Sequence, residues 1–405
     1  MTLLAPPPTT TAEVHEARAL IEEARRLRRR RWLRGGAVAA ILAGALGAAV
    51  ALGAASTPRS PAIRSARVSA LTGPARAVGG ASPELPQALA VGPGGTLYVA
   101  DEGRNQILRL RPDGRFSVVA GDGKQGDTGD GGPALRARLT LSHDSGLVVG
   151  PKGNLYVADP AHGRVREVET NGRIVNLVGG GRIVVGGRTR PIPARAARFP
   201  SSLGPTGLAF GPSRGLYLST GVGLFRLGAD HALHWVLGPS SAKVTMKDGR
   251  VASFSLVGAS LQPIPGPGAV VAARDGRLLV AASGAPRPFP PARTGLYELG
   301  AHQHLGLVTA LPARWDAAAF DPAGGAVVAI DGTGLERVQA DGRISSLLPA
   351  GLTEAIRRHV VSFGGVAVGP GGEVFVDTYT WAGPRLDVAI LRISPAGAVH
   401  VLWRS

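Results

Sequence analysis

Apolar residues in this chain fall in short runs, and the runs repeat. Leu97-Tyr98-Val99-Ala100-Asp101 returns as Leu155-Tyr156-Val157-Ala158-Asp159. The same slot later holds Leu216-Tyr217-Leu218-Ser219-Thr220, Leu278-Leu279-Val280-Ala281-Ala282, Val327-Val328-Ala329-Ile330-Asp331 and Val374-Phe375-Val376-Asp377-Thr378. These pentads start 47 to 62 residues apart, a period that belongs to repeat architectures. Before each comes a shorter apolar run, such as Ala88-Leu89-Ala90-Val91 or Gly365-Val366-Ala367-Val368, and then a glycine turn such as Gly92-Pro93-Gly94-Gly95. After each comes a run that alternates apolar with charged residues, such as Gln106-Ile107-Leu108-Arg109-Leu110, and a fourth run such as Phe116-Ser117-Val118-Val119.

Period-two alternation rich in Val, Ile, Leu and Tyr reads as strands, and Pro-Gly turns read as tight hairpins. Each unit is therefore expected to be a four-stranded antiparallel meander. Its first two strands, apolar on both faces, lie inside, and its alternating strands lie outside. One such sheet cannot cover both its faces alone; radial stacking against copies of itself does so. The expected fold is an all-β, six-bladed β-propeller over residues 86–405.

The blade linker Gly121-Asp122-Gly123-Lys124-Gln125-Gly126-Asp127-Thr128-Gly129-Asp130-Gly131-Gly132-Pro133-Ala134, with Ala137 and Leu139, resembles the linker of NHL-repeat propellers. The pentad followed by Arg164-Val165 resembles the other half of that family's pattern. The match covers 86–178 in detail and 205–405 in strand rhythm only, with Thr220 and Ala282 replacing the pentad's Asp. The resemblance implies a module that binds protein, RNA or polysaccharide, while a minority of related propellers are lyases or lactonases.

Charge and composition add an address. The formal net charge is +17, with 41 Arg and 4 Lys and no cysteine, so disulfides and thiolate metal sites are excluded. Residues 1–34 form a basic cytoplasmic segment, in which a short helix over 12–31 carries a Thr10/Glu13 capping box. Residues 35–55 are uncharged and about 31 Å long as a helix, against a bilayer core of ~30 Å. Arginines 25, 26, 28–31 and 34 precede them and hold the N-terminus inside, which places the propeller outside a cell membrane crossed once. Two export readings stay open: cleavage after Ala54-Ala55-Ser56, and a twin-arginine signal at Arg29–Arg34. Residues 56–85, with four prolines and four arginines, read as a tether with one extra strand near 66–73. That strand and Ala398–Trp403 compete for the position that closes the ring.

Chemistry is harder to place. Asp101, Asp159, Asp331 and Thr378 end second strands at equivalent points, so they are expected around the channel mouth. They would line a cation or sugar site, or simply accept hydrogen bonds from their own loops; the second reading is the simpler. Asp122, Asp127 and Asp130 lack calcium-loop spacing and are read as part of a structural spacer. Pro133 is expected to open a short helix ending near Leu139, its N-terminal end stabilised by Asp130. The nine histidines include no HExxH pair; His143, entering the second blade beside Asp144, is the one candidate for the mouth. No cofactor or metal is expected.

The leading expectation is a membrane-tethered, extracytoplasmic binding, sensing or scaffold module without catalysis; the alternative is a metal-dependent lactonase- or lyase-type enzyme. Its partner would be a protein, or an anionic polymer or lipid at the cell surface. Nucleic acid is not expected, because the basic residues are spread over every blade and aromatics are few. Gly36, Ala40, Gly44 and Ala48 form a small-residue stripe that permits weak self-association of the span.

Overall fold

The computed structural model describes residues 82–405, except 112, 186–189, 200–202, 212–214, 222, 238–241, 246–250, 255–269, 273–277, 283–294, 300–303, 311–316, 322–324, 331–333, 340, 349–360 and 383–384. The expected basic segment, span and extra strand lie outside the described residues. Among the described residues, no helix is long and apolar enough to cross a membrane. Residues 62–380 with 388–405 form the larger compact unit. The smaller comprises 1–61 with 381–387, of which only ends of two neighbouring strands are described.

The architecture is an all-β propeller. Five sheets contain the expected meander of four consecutive strands, ordered from inside to outside. The first blade is Pro86–Val91, Leu97–Asp101, Gln106–Leu110 and Phe116–Ala120. The second is Leu147–Val149, Leu155–Asp159, Arg164–Val168 and Ile174–Val178. The third is Pro205–Phe210, Leu216–Thr220, Gly223–Leu227 and Ala232–Leu237, with Ile192–Pro193 added at its outer edge. Two more close the chain: Ala317–Phe320, Gly325–Ile330, Gly334–Gln339 and Ile344–Ser346, then Ser362–Val368, Val374–Ala382, Arg385–Ile393 and Val399–Arg404.

Six equal units were expected; five regular blades are found. The sector between the third blade and residue 317 is a six-stranded sheet. Its meander, Val270–Ala272, Leu278–Ala282, Gly295–Leu299 and His304–Ala310, is extended by a hairpin of Ala242–Thr245 and Val251–Phe254. The hairpin joins by a parallel pairing of Lys243 with His304. An inserted hairpin that satisfies an outer edge in this way carries no echo of the repeat, which is why periodicity missed it.

The inner strands form a closed circuit. Pro86–Val91 lies against both Leu147–Val149 and Ser362–Val368, and Val270–Ala272 bridges the third blade to Ala317–Phe320. Among the described residues, closure uses no borrowed strand: Val399–Arg404 is the fourth strand of the last blade, and the first blade supplies all four of its own. The seam is held by apolar packing, with Leu89, Val99, Leu108 and Phe116 of the first blade buried against Ala367, Phe375 and Ile390 of the last. Phe116 and Trp403 meet edge-on, ring centroids 6.5 Å apart.

The pentad's tyrosine explains the turn glycine beneath it. At Gly150 an added Cβ would lie 2.7 Å from Tyr156 Cε2 and 3.1 Å from Phe210 Cζ, so the ring closes over a position that admits only hydrogen. The linker's short helix is smaller than expected. It is a 3-10 turn over Ala134–Arg136 with Pro133 as N-cap and no side-chain cap. Asp130 turns away from it toward two arginines of the second blade. Arg166 Nε donates to Asp130 Oδ1 at 2.8 Å, and Arg164 Nη1 stands 3.5 Å from Asp130 Oδ2. A guanidinium is a stronger partner for a carboxylate than the end of a one-turn helix.

Candidate functional site

Strand register fixes which end of the ring carries the candidate residues. Pro86 pairs with Asp101, Pro205 with Thr220, and Phe363 with Thr378, so second strands finish where inner strands begin. The structure brings Asp101, Asp159, Thr220 and Thr378 to this one end, all buried. Asp331 lies outside the described residues.

Each of these groups turns to its own blade. Asp101 is fully buried and accepts the amides of Glu84 at 2.9 Å, Leu85 at 2.8 Å and Gly103 at 3.1 Å. Asp159 accepts the His162 amide at 3.2 Å, and its Oδ2 lies 2.8 Å from the ring Nδ1 of His162. Thr220 donates to the Gly223 carbonyl at 2.9 Å, and Thr378 to that of Ala389 at 3.4 Å. These are loop-holding bonds of the kind turn aspartates and threonines make.

A second set of residues at this end was not visible as a motif. Asp377, fully buried, accepts the amide of Gly365 and, at 2.7 Å, the hydroxyl of Tyr379. A register shift between Phe363 and Val366 frees the Gly365 amide from its ladder, and the carboxylate satisfies it. Ser219 does the same for the Gly207 amide of the third blade at 3.0 Å. The signal was present: a polar residue at the pentad's fourth position opposite a glycine in the inner strand. Glu102, next to Asp101, accepts the amide of His143, and His143 Nε2 is 3.2 Å from Asp144 Oδ2. Exposed Arg104 stands 3.8 Å from Glu84 and 4.0 Å from Asp101. Three blades thus contribute to one polar mouth, carboxylate-rich inside and mixed in charge at its rim. Among the described residues, no three His, Asp or Glu side chains are grouped to hold a metal ion.

Burial dominates the protonation of these groups. It pushes the carboxyls of Asp101, Glu102 and Asp159 above their ordinary values, against the amide bonds and cations that pull them down. Burial likewise raises Tyr379, helped by the negative charge of Asp377, Glu102 and Asp101, so its hydroxyl stays neutral and serves as a donor. A carboxyl whose pKa is higher folded than unfolded binds its proton more tightly when folded. Its contribution to stability is present at low pH and is lost as pH rises through the window above the ordinary 3.8 of Asp and 4.5 of Glu. Asp230, held down first by the His234 ring, and Asp341, held down first by the Arg343 amide, matter only below 3.8. The urea midpoint is therefore expected to be higher at about pH 5 than at pH 7.5, with Glu102→Gln flattening the difference. A midpoint that falls steadily from pH 7.5 to 5 would contradict this account of the mouth.

No family model matches the chain. Among solved structures, it is similar to virginiamycin B lyase from Staphylococcus aureus at 12% identity, covering 78% of this chain and 83% of that one, with a TM-score of 0.40. It is also similar to a gluconolactonase from Xanthomonas campestris at 12% identity (73% and 83% covered, TM-score 0.44). A third is the calcium-binding protein regucalcin from Agrobacterium tumefaciens, at 13% identity (73% and 82% covered, TM-score 0.41). Likeness at this level reaches neither the NHL family nor any ligand, and the chain stands as an all-β propeller on the evidence of its own sheets.

Proposed function

We propose that this chain is a membrane-tethered, extracytoplasmic propeller of NHL type that binds a partner without catalysis, at the end of the ring where inner strands begin. The observation that supports it most is the state of Asp101. A carboxylate already holding three amides is a structural brace, not a free base or metal ligand. The groups at the rim that can face a partner include Glu84, Glu102, Arg104 and His143. Mixed donors and acceptors of this kind suit a protein or a polar cell-surface polymer, held by several hydrogen bonds.

Metal analysis of the purified full chain tests the non-catalytic reading. Far less than one divalent ion per chain is expected after dialysis. About one ion per chain, lost on Asp101→Ala or Asp159→Ala while the fold survives, would overturn this reading in favour of the metal-dependent enzyme. Protease access to the propeller on intact cells, with the N-terminus protected, tests the tether.

A further inference from the structure

Large apolar side chains exposed among the described residues are few, and three of the five lie on two linkers between blades. They are Leu135 on the first linker, and Ile183 at 37% and Val184 at 54% exposure on the second. The second linker is built differently from the first. The first carries Asp122, Asp127 and Asp130, which are neutralised by Arg138, Arg164 and Arg166. Residues 179–204 contain no Asp or Glu at all. Arg182, Arg190, Arg195 and Arg198 are exposed there, and among the described residues none of them meets a carboxylate.

This linker is ordered by its buried side. Val185, Ile192, Ala194 and Ala197 pack into the core between the second and third blades. Ile183–Val184 pairs in parallel with Ala197–Arg198, and Phe199, the next residue, packs on Gly163 in the turn that follows Asp159. The exposed aliphatic pair, with Arg182 and Arg198, therefore stands at the end where inner strands begin, while Arg190 and Arg195 flank Ile192–Ala194 along the outer edge of the third blade, beside its His231 turn. The chain enters the propeller at this same end, through Ser82–Pro86. Whatever anchors the chain upstream is attached to this rim. On the tethered reading, 26 residues, 56–81, separate this rim from the uncharged stretch 35–55.

We propose that the linker between the second and third blades docks on an anionic phospholipid bilayer. Ile183 and Val184 enter the headgroup region, and Arg182 and Arg198 meet lipid phosphates. An anionic polymer would use the arginines and leave the aliphatic pair in water. A single-stranded nucleic acid would call for stacking aromatics beside them, whereas the linker's one aromatic, Phe199, is buried. The orientation rests on the tethered reading above; the contact itself does not.

Because the chain has no cysteine, Val184→Cys gives a single attachment point for an environment-sensitive fluorophore. The labelled full chain is reconstituted into discs of phosphatidylcholine alone, or of phosphatidylcholine with about a third phosphatidylglycerol. A severalfold gain in emission is expected only in the anionic discs. It should be lost in high salt, and each Arg182→Gln or Arg198→Gln change should weaken docking about fivefold. Equal emission in both discs overturns the proposal, as does a response to soluble anionic polysaccharide that anionic lipid does not reproduce. Retention of the chain by zwitterionic discs is read separately. If retention fails while the probe still responds to added anionic vesicles, the tether falls and the docking stands.

Discussion

Arg166→Met is expected to lower stability by about 3–5 kcal/mol, the usual consequence of removing one partner from a buried charge pair. Arg166 is fully buried in the third strand of the second blade, and its guanidinium uses three nitrogens. Nε meets Asp130 Oδ1 at 2.8 Å, Nη1 the carbonyl of Arg138 at 2.7 Å, and Nη2 the carbonyl of Thr128 at 3.0 Å. It thereby ties both arms of the glycine-rich linker to a strand about 36 residues further along the chain. Methionine fills much of the volume but strips the Arg138 carbonyl of its guanidinium donor, at roughly 1–3 kcal/mol when buried, while the Thr128 carbonyl keeps the Arg138 amide at 3.1 Å. Asp130 keeps Arg164 and some water, which moderates the loss. Arg166→Lys should recover only part of it, since a point charge cannot serve three acceptors in different directions. Urea denaturation reads the total, and amide exchange over residues 121–139 should show this linker opening first. A midpoint unchanged from the parent would mean that the linker is held by something other than this side chain.

What could be read from the chain follows the same line between local and distant causes. The pentads Leu97–Asp101 and Leu155–Asp159 are strands with the bounds the alternation predicts, and Ala317–Phe320 is one of the predicted inner strands. Those assignments rest on neighbours in sequence. Arg166 sits in a run, Arg164-Val165-Arg166, whose alternation reads as an outward strand face, and nothing within ten residues names its partner. Asp130 was likewise assigned to the nearest helix end, because its arginines lie more than thirty residues away. The hairpin Ala242–Thr245 with Val251–Phe254 has no repeat counterpart, so periodicity passed over it. At the mouth, the burial of Asp101 and Asp159 follows from their place at strand ends. Asp377 was passed over because its signal, a polar residue at the pentad's fourth position opposite an inner-strand glycine, is divided between two strands and shows only when they are paired.

Gly365→Ala is expected to cost about 2–3 kcal/mol or more from overpacking alone. A Cβ there would stand 2.9 Å from the Leu89 amide nitrogen, 3.0 Å from Ala88 Cα and 3.0 Å from the Gln87 carbonyl oxygen. All three are backbone atoms of the first blade's inner strand, so no side chain can rotate away. Elsewhere in a sheet, two strands would separate slightly and the strain would dissipate. Here the two strands are the first and last inner strands of a closed circuit, joined by no shared strand. Moving them apart opens the apolar seam of Leu89, Phe375 and Ile390 to water. It also pulls the Gly365 amide from Asp377, which would leave a buried carboxylate with Tyr379 as its remaining donor in this pair of bonds. Gly94→Ala is the control, since a Cβ there meets nothing within 4 Å and its backbone does not need glycine. It should be neutral or slightly stabilising through the unfolded chain. Urea midpoints separate the two variants, and amide exchange at Leu89 and Val366 should rise well before exchange in the second blade. If Gly365→Ala and Gly94→Ala unfold together, the ring does not depend on close backbone contact at this seam.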